Sequence, residues 1–350
     1  MPNLSPIAAP LCAWYVKNAR ALPWRESREP YHIWVSEIML QQTRVAAVIP
    51  YYERFLSHLP TVQTLAHADE PLLLKLWEGL GYYSRVRNMQ RAAQLICREH
   101  GGLFPRTAGA LQKLPGIGPY TAAALASICF GEAVPAVDGN VLRVCTRLAA
   151  SEADISLPKT KTLVASWLTP VMALADPGTL NQALMELGAS ACRPGPAPTC
   201  DVCPLAHLCA SKARGLQAAL PRKTRKNTRT LEEITFFIIV HEGRVALQKR
   251  PSKGLLAGLW EFPCATGTLS EVQSLSYLAQ MGVQVLEIKT LAPSRHVFTH
   301  KEWLICAYIV KAGNWPTGST LTLATPSEIS AEYTLSSALT LYKGSWAEYL

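Results

Sequence analysis

The chain has 350 residues, 49% hydrophobic and 17% charged, with a formal net charge of +9 and 10 cysteines. That length exceeds one small core and predicts two domains, and no run approaches the ~18 apolar residues of a membrane span, which excludes a helical membrane protein. The opening MPNLSPIAAPLCAWYVKNAR has no basic region ahead of an apolar run, so a cytoplasmic protein is expected, whose cysteines serve as thiols or metal ligands rather than disulfides.

Residues 1–210 read as an all-α domain, with apolar residues three and four apart over 33–56, 71–79 and 86–98 and with Gly and Pro between. In the first stretch, WVSEIML sets Glu37 among apolar neighbours. Burial there would disfavour ionisation and raise its pKa, as a general acid requires, although a lone Glu is more often a paired surface acid. Further on, LQKLPGIGPYTAAALASICF joins two helical segments through Leu114, Pro115, Gly116, Ile117 and Gly118, with Pro119 at the first position of the second helix. This is a helix-hairpin-helix signature. Gly116 and Gly118 let the backbone approach a phosphate, and the N–H groups of the following helix point at it, so double-stranded DNA would be held without regard to sequence. A bare Gly-x-Gly would more simply be a tight helix–helix turn, and the longer LPGIGPYTA string favours the hairpin.

Next in order, AVDGNVLRV sets Asp138 just ahead of a helical stretch. Asp138 or Asn140, taken alone, reads as a helix N-cap. Taken with Glu37, it gives one protonated carboxyl and one carboxylate, the pair that cleaves a glycosidic bond through an oxocarbenium-like transition state. Cys192, Cys200, Cys203 and Cys209 then fall in a C-x7-C-x2-C-x5-C pattern, while the other six cysteines are scattered. Four thiolates on one short loop suit a 4Fe–4S cluster or a zinc ion. The single close pair favours the cluster, since a zinc ribbon usually presents two.

Residues 211–230 carry 7 Lys/Arg and no Asp/Glu and lack periodicity, so they read as a basic linker, either merely solvated or drawn to a polyanion such as DNA. Beyond it, 231–350 read as an α+β domain: EITFFIIV and RVALQKR as a hairpin about a His-Glu-Gly turn, LWEFP, a helical SEVQSLSYLAQMG and the strand HKEWLICAYIV.

WVSEIMLQQTRV, WEGLGYYSRVRN, LPGIGPYTA, AVDGNVLRV and the four-cysteine loop, in this order, resemble the MutY-type adenine DNA glycosylases of the helix-hairpin-helix superfamily. The resemblance implies a glycosylase domain with a 4Fe–4S cluster loop, followed by a Nudix-like domain. It implies excision of adenine opposite 8-oxoguanine or guanine by a monomer in base-excision repair. Glu37 matches the family's general acid, protonating adenine N7, and Asp138 the carboxylate that stabilises the sugar cation. Tyr120 and Asn140 match residues lining that site. By the same resemblance Tyr82, helped by Leu80, wedges into the stack after the base is extruded, while Gln42 and Thr43 face the orphaned partner. Trp24, Arg25 and Gln182 are candidates for the adenine pocket. Without the family match, the Tyr82–Tyr83 pair would read as core packing.

This chain departs from the family pattern in places. Seven residues separate Cys192 from Cys200 where six are usual, a small closure cost that predicts a bulged loop. Tyr120 stands where endonuclease III-type enzymes carry the Lys that forms a Schiff base, which implies a monofunctional glycosylase. The helix expected after LWEFP has only Glu271 where a Nudix hydrolase carries several metal-binding glutamates. The second domain therefore reads as a recognition module for the base opposite adenine, with Thr299 in Phe298-Thr299-His300 in the place of the family's serine. Cross-strand pairing is the plainer role for Thr299. Two further readings stay open: a bifunctional pyrimidine glycosylase/lyase, and a non-catalytic DNA-binding iron–sulfur protein.

Overall fold

The computed structural model describes residues 2–224, 229–316 and 318–349. The chain forms two compact units, Met1–His67 with Asn88–Arg225 and Ala68–Arg87 with Lys226–Leu350. The later boundary, between 225 and 226, falls inside the stretch 211–230 expected as a linker. Residues 68–87, which look like part of the helical domain, belong to the second unit.

In the first unit, α1 (Ala8–Asn18), α2 (Pro30–Met39), α3 (Val45–His58) and α4 (Val62–His67) precede the outlying segment. Within that segment lies α5 (Glu70–Leu76), and α6 (Ser84–His100) leads out of it. There follow α7 (Ala108–Leu111), α8 (Pro119–Phe130), α9 (Gly139–Leu148), α10 (Pro158–Met172), α11 (Pro177–Ser190) and the short α12 (Ala210–Ala213). A core around Leu11, Val141, Cys145, Leu168, Leu184 and Leu187 ties α1, α9, α10 and α11 together, with Cys192, Cys203 and Cys209 packed against it. Gly188 permits the close passage of α11 over α9, because a Cβ there would lie 2.6 Å from the Asn140 Cβ.

The expected hairpin forms between α7 and α8. Gly116 is left-handed at φ +76°, and a Cβ on it would sit 2.7 Å from the Asn88 Cβ, so that position needs glycine. Pro119 starts α8 as the sequence predicts, and no side chain caps its N-terminus. The stretch read as a linker is not free along its length. Leu220 is buried, its carbonyl accepts from Arg147 Nε at 2.9 Å, and Arg222 O accepts from Ile155 N–H at 3.0 Å. Burial of one leucine and pairing of two carbonyls override the polar composition. Residues 225–228 of that stretch lie outside the described residues.

The second unit is built on a sheet ordered β3-β2-β1-β7-β5, with β4 on β1, β6 on β7 and β8 on β2. Its strands are β1 (Thr230–His241), β2 (Arg244–Lys249), β3 (Trp260–Glu261), β4 (Cys264–Thr266), β5 (Val285–Thr290), β6 (Ser294–Val297), β7 (Lys301–Ala312) and β8 (Thr322–Ala324). The predicted hairpin is β1–β2, paired antiparallel with His241 opposite Arg244. Its Glu242-Gly243 turn has φ of 46° and 72°, the double left-handed geometry that suits a two-residue hairpin. β1 runs parallel to β7 from Thr230↔Lys301 to Val240↔Lys311, and both are rich in Ile, Val and aromatic residues, as strands covered on two faces are. The predicted helix is α13 (Glu271–Gln280), started by a capping box of Ser270 and Gln273. The shorter α14 (Pro326–Ala331) follows β8.

Candidate active site

One cavity of about 1140 Å³ opens in the first unit, lined from α2, the hairpin, the start of α9 and α11. Trp24, Arg25, Glu37, Gln42, Thr43, Gly116, Gly118, Tyr120, Asp138, Asn140 and Gln182 all line it. Residues up to 158 positions apart in sequence thus meet in one place, as the motifs taken together imply.

Glu37 stands on α2, whose residues from Ile33 to Met39 are buried, and is itself only 8% exposed. Burial pushes its pKa up to about 7. The Tyr120 hydroxyl lowers it by hydrogen bonding, the Asp138 charge raises it and Arg25 lowers it. Such a carboxyl carries a proton near neutrality. Asp138 does serve as the N-cap of α9, its Oδ1 accepting from Val141 N–H at 2.7 Å, so the structural role coexists with any chemical one. Burial raises its pKa as well, opposed by the N–H groups of Val141 and Asn140 and by the Arg143 charge.

A polar chain runs on from Asp138. Asn140 Nδ2 donates to Asp138 Oδ2 at 2.9 Å, Arg143 Nη2 donates to Asn140 Oδ1 at 2.8 Å, and Arg143 Nε donates to Cys192 O at 2.8 Å. One turn later on α9, Arg147 is 2% exposed. It donates to the carbonyls of Leu220, Arg193 and Gly195, each at 2.9 Å, and to Cys192 Sγ at 3.5 Å. Arg143 and Arg147 make their hydrogen bonds to carbonyls, the Asn140 amide and sulfur rather than to carboxylates.

All four cysteines of the cluster motif line a second, smaller pocket together with Arg147 and Lys212. Burial pushes the Cys203 thiol up to about 11, and the nearby Cys192, Cys209 and Cys200 sulfurs add to the rise. Among the described residues no three His, Cys, Asp or Glu side chains are close enough to share one metal ion. The four cysteines around this pocket are the residues that could hold a metal centre. Beside them Arg147 supplies an N–H to sulfur and a buried positive charge suited to an anionic cluster. Gly195, at φ +102°, stands in the left-handed region within the long Cys192–Cys200 loop.

The sequence reading passed over Arg20, Met185 and Glu186, which also line the main cavity. Glu186 is 1% exposed and accepts from Arg20 Nε at 2.6 Å and Arg25 Nη2 at 2.8 Å. Despite burial, which raises it, these two guanidinium groups hold its pKa below the usual range. Arg25 also lies over the Tyr15 ring at 5.3 Å, and Tyr15 Oη donates to Gln182 Oε1 at 3.2 Å. Arg25 and Gln182 are therefore braced before any ligand arrives. Trp24 is buried edge-on against Tyr52 and forms a wall. The i, i+4 spacing of Gln182 and Glu186 on α11 is the signal that could have found this brace.

The remaining candidates lie in the second unit. Leu80 is buried, whereas Tyr82 is 47% exposed. The hydroxyls of Tyr82 and Thr299 hydrogen-bond each other, joining residues 217 apart in sequence. Tyr82 and, in the first unit, Gln42 are left-handed at φ 46° and 63°, a strained backbone for non-glycine residues. The 68–87 segment is clasped by Lys75 Nζ donating to Ile329 O at 3.3 Å, by Lys343–Glu78 at 2.5 Å and by Arg87 Nη2 donating to Ala257 O at 2.8 Å.

Two family profiles match the chain, one on either side of residues 211–230. The profile of the HhH-GPD superfamily base excision DNA repair proteins matches residues 35–170, and that of the NUDIX domain matches 235–341. Adenine DNA glycosylases of Homo sapiens and Mus musculus are 37% and 38% identical over 83% of the chain, which spans 64% and 67% of their lengths. That of Buchnera aphidicola subsp. Acyrthosiphon pisum is 32% identical over 82% of the chain and 81% of its own length. Among solved structures, a thermostable thymine-DNA glycosylase covers 59% of the chain and matches over 95% of its own at TM-score 0.52 and 24% identity. An endonuclease III trapped covalently on DNA covers 62% and matches over all of its own length at 0.50 and 24%. These two share the fold of the helical part.

Proposed function

Because this chain belongs to the adenine DNA glycosylase family, we propose that it extrudes adenine mispaired with 8-oxoguanine or guanine from double-stranded DNA and hydrolyses the N-glycosidic bond. The observation that carries this reading is the meeting of Glu37 and Asp138 in one cavity, one of them proton-bearing near neutrality. Glu37 protonates N7 of the adenine, so that the base leaves neutral. Asp138, aimed by the Val141 N–H and the Asn140 amide, stabilises the sugar cation and forms a transient adduct with it, which water then resolves with retention. Tyr120 orients the acid and offers no amine for a Schiff base, so the product is an abasic site on an unbroken strand.

Extrusion costs a few kcal/mol of stacking, of which a mispair spares part. Tyr82 with Leu80 fills the gap, and Gln42 and Thr43 face the partner base. The left-handed backbone of Gln42 and Tyr82 supports this, because strain of about 1–3 kcal/mol per residue persists where function holds it. Trp24, Arg25 and Gln182 receive the base. Gly116 and Gly118 bring the start of α8 to a phosphate, and Thr299 reads 8-oxoguanine. Cys192, Cys200, Cys203 and Cys209 would hold a 4Fe–4S cluster, which when bound ties the 192–209 loop into a fixed shape and supplies a redox centre.

The test is a panel of duplexes carrying A:8-oxoG, A:G, A:C and thymine glycol, assayed with and without alkali. Strand breaks at adenine opposite 8-oxoguanine or guanine that require alkali are expected. Cleavage without alkali, or action on thymine glycol alone, overturns the reading. Glu37→Gln should lower single-turnover excision by about 10²- to 10⁴-fold with DNA affinity retained, and near-normal excision by this variant refutes the acid.

A further inference from the structure

One contact in the main cavity has no part in the chemistry above. Tyr120 Oη donates to Met185 Sδ at 3.4 Å; it also hydrogen-bonds the Glu37 carboxyl, whose pKa it lowers when its proton goes there instead. Met185 stands on α11 between Gln182 and Glu186 and lines the cavity. It is partly exposed, whereas Met39, Met89 and Met172 are buried in cores. A tyrosine hydroxyl has one proton to give, and a thioether can only accept. When that proton points at Met185, Oη presents its lone pairs to Glu37, and only the protonated carboxyl completes the contact. When it points at Glu37 instead, the ionised carboxylate is the form that gains.

We propose that Met185 is a positioning residue for the acid: by accepting the Tyr120 proton, it turns the lone pairs of that hydroxyl toward Glu37 and favours the proton-bearing carboxyl. The inference rests on Glu37 being the general acid and on no other part of the proposed function. Besides Tyr120, the groups that act on Glu37 or face it are Asp138 on the α9 cap, Arg25 ahead of α2 and Cys129 on α8. Arg20 and Glu186 line the same cavity bound to one another. Tyr120 hydrogen-bonds Met185 and Glu37, whereas Asp138 acts on it through charge, so the choice of acceptor lies between Met185 and Glu37.

Single-turnover excision should be measured against pH for the wild type, Met185→Leu, Met185→Gln, and Met185→Leu combined with Tyr120→Phe. Leucine keeps the volume and removes the acceptor. Tyr120 then donates to the carboxylate, and the alkaline limb should move down by about half a pH unit, or about threefold in rate above it. Met185→Gln restores an acceptor and should return the limb to its wild-type place. In the Tyr120→Phe background, Met185→Leu should shift nothing further. A limb unmoved by Met185→Leu, or moved equally in the Tyr120→Phe background, overturns the inference, since the side chain would then act by packing alone. Glu37→Gln run in parallel separates the two failures: if it is inactive while Met185→Leu has no effect on the limb, only the role of Met185 falls, and if it is active the acid itself falls.

Discussion

The two units treat polar side chains in opposite ways. In the first, the charged groups of the cavity are withdrawn from water: Glu37 and Glu186 are buried, and two polar ends beside them are already engaged, Arg25 by Glu186 and Gln182 by Tyr15. In the second, Tyr82 stands half in solvent with its hydroxyl on an exposed Thr299. A carboxyl can hold a proton at neutral pH only where solvation of its charge is denied, so the chemistry has to be deep. A side chain that must enter a base stack has to be at the surface. Substitutions in the first unit should therefore change rate steeply, and those in the second should change discrimination gently.

The steepest break should come from Asp138→Asn, which keeps the shape and the N-cap but removes the charge. Single-turnover excision is expected to fall by at least about 10²-fold, with DNA affinity held. Retention of more than a tenth of the rate would place the stabilising charge elsewhere. The pH profile tests the burial argument directly. Glu37 acts while protonated, so the rate should be full below about 7, where burial sets its pKa, and fall about tenfold per unit above it. Protonation of Asp138 should close the acid side, and an alkaline limb near the ordinary carboxylate range would show that Glu37 is not the acid.

Iron content sharpens the comparison inside the first unit. Protein purified anaerobically should be yellow-brown with about four irons per chain, and a colourless preparation with stoichiometric zinc contradicts that. Arg147→Met removes the N–H donated to Cys192 Sγ and three loop carbonyl contacts, and should cost about 10- to 100-fold in cluster retention. Iron unaltered after dialysis against a chelator would show that Arg147 only packs. The smallest effect is expected at Thr299→Val. Losing one neutral hydrogen bond, worth about 0.5 to 1.5 kcal/mol, should slow excision opposite 8-oxoguanine by about two- to tenfold and leave A:G nearly unchanged. Equal loss on both substrates would remove Thr299 from lesion reading.

The cavity was legible in the sequence because its residues come from short strings in which chemistry and turn geometry coincide: an acid in WVSEIML, glycines in LPGIG, an N-cap in AVDGN. The second fold was legible through the apolar β1–β2 hairpin about its Glu-Gly turn and the helical stretch that forms α13. Residues whose roles depend on distant partners were not. Glu186 looks like one more polar position on an amphipathic helix, and only the fold brings Arg20 and Arg25 to it from more than 160 residues away. Nothing in the sequence singles out Arg143 and Arg147, yet the carbonyls of Gly188, Cys192, Arg193, Gly195 and Leu220 take their hydrogens and permit burial. The 68–87 segment has the same helical periodicity as its neighbours, so periodicity could not assign it to the second unit.

That assignment has a consequence for the order in which the protein is made. Lys75, Glu78, Tyr82 and Arg87 find partners at Ile329, Lys343, Thr299 and Ala257, which leave the ribosome roughly 10 to 50 s later at ~5–20 residues per second. These four contacts can therefore form only after the far end of the chain has been made. A fragment ending after the helical unit would lack the partners of Lys75, Glu78, Tyr82 and Arg87, and with them the clasp on Tyr82, although every residue of 68–87 is present. Refolding of the full chain should accordingly show the Tyr82 environment forming with the sheet, later than the helices on either side of it in sequence.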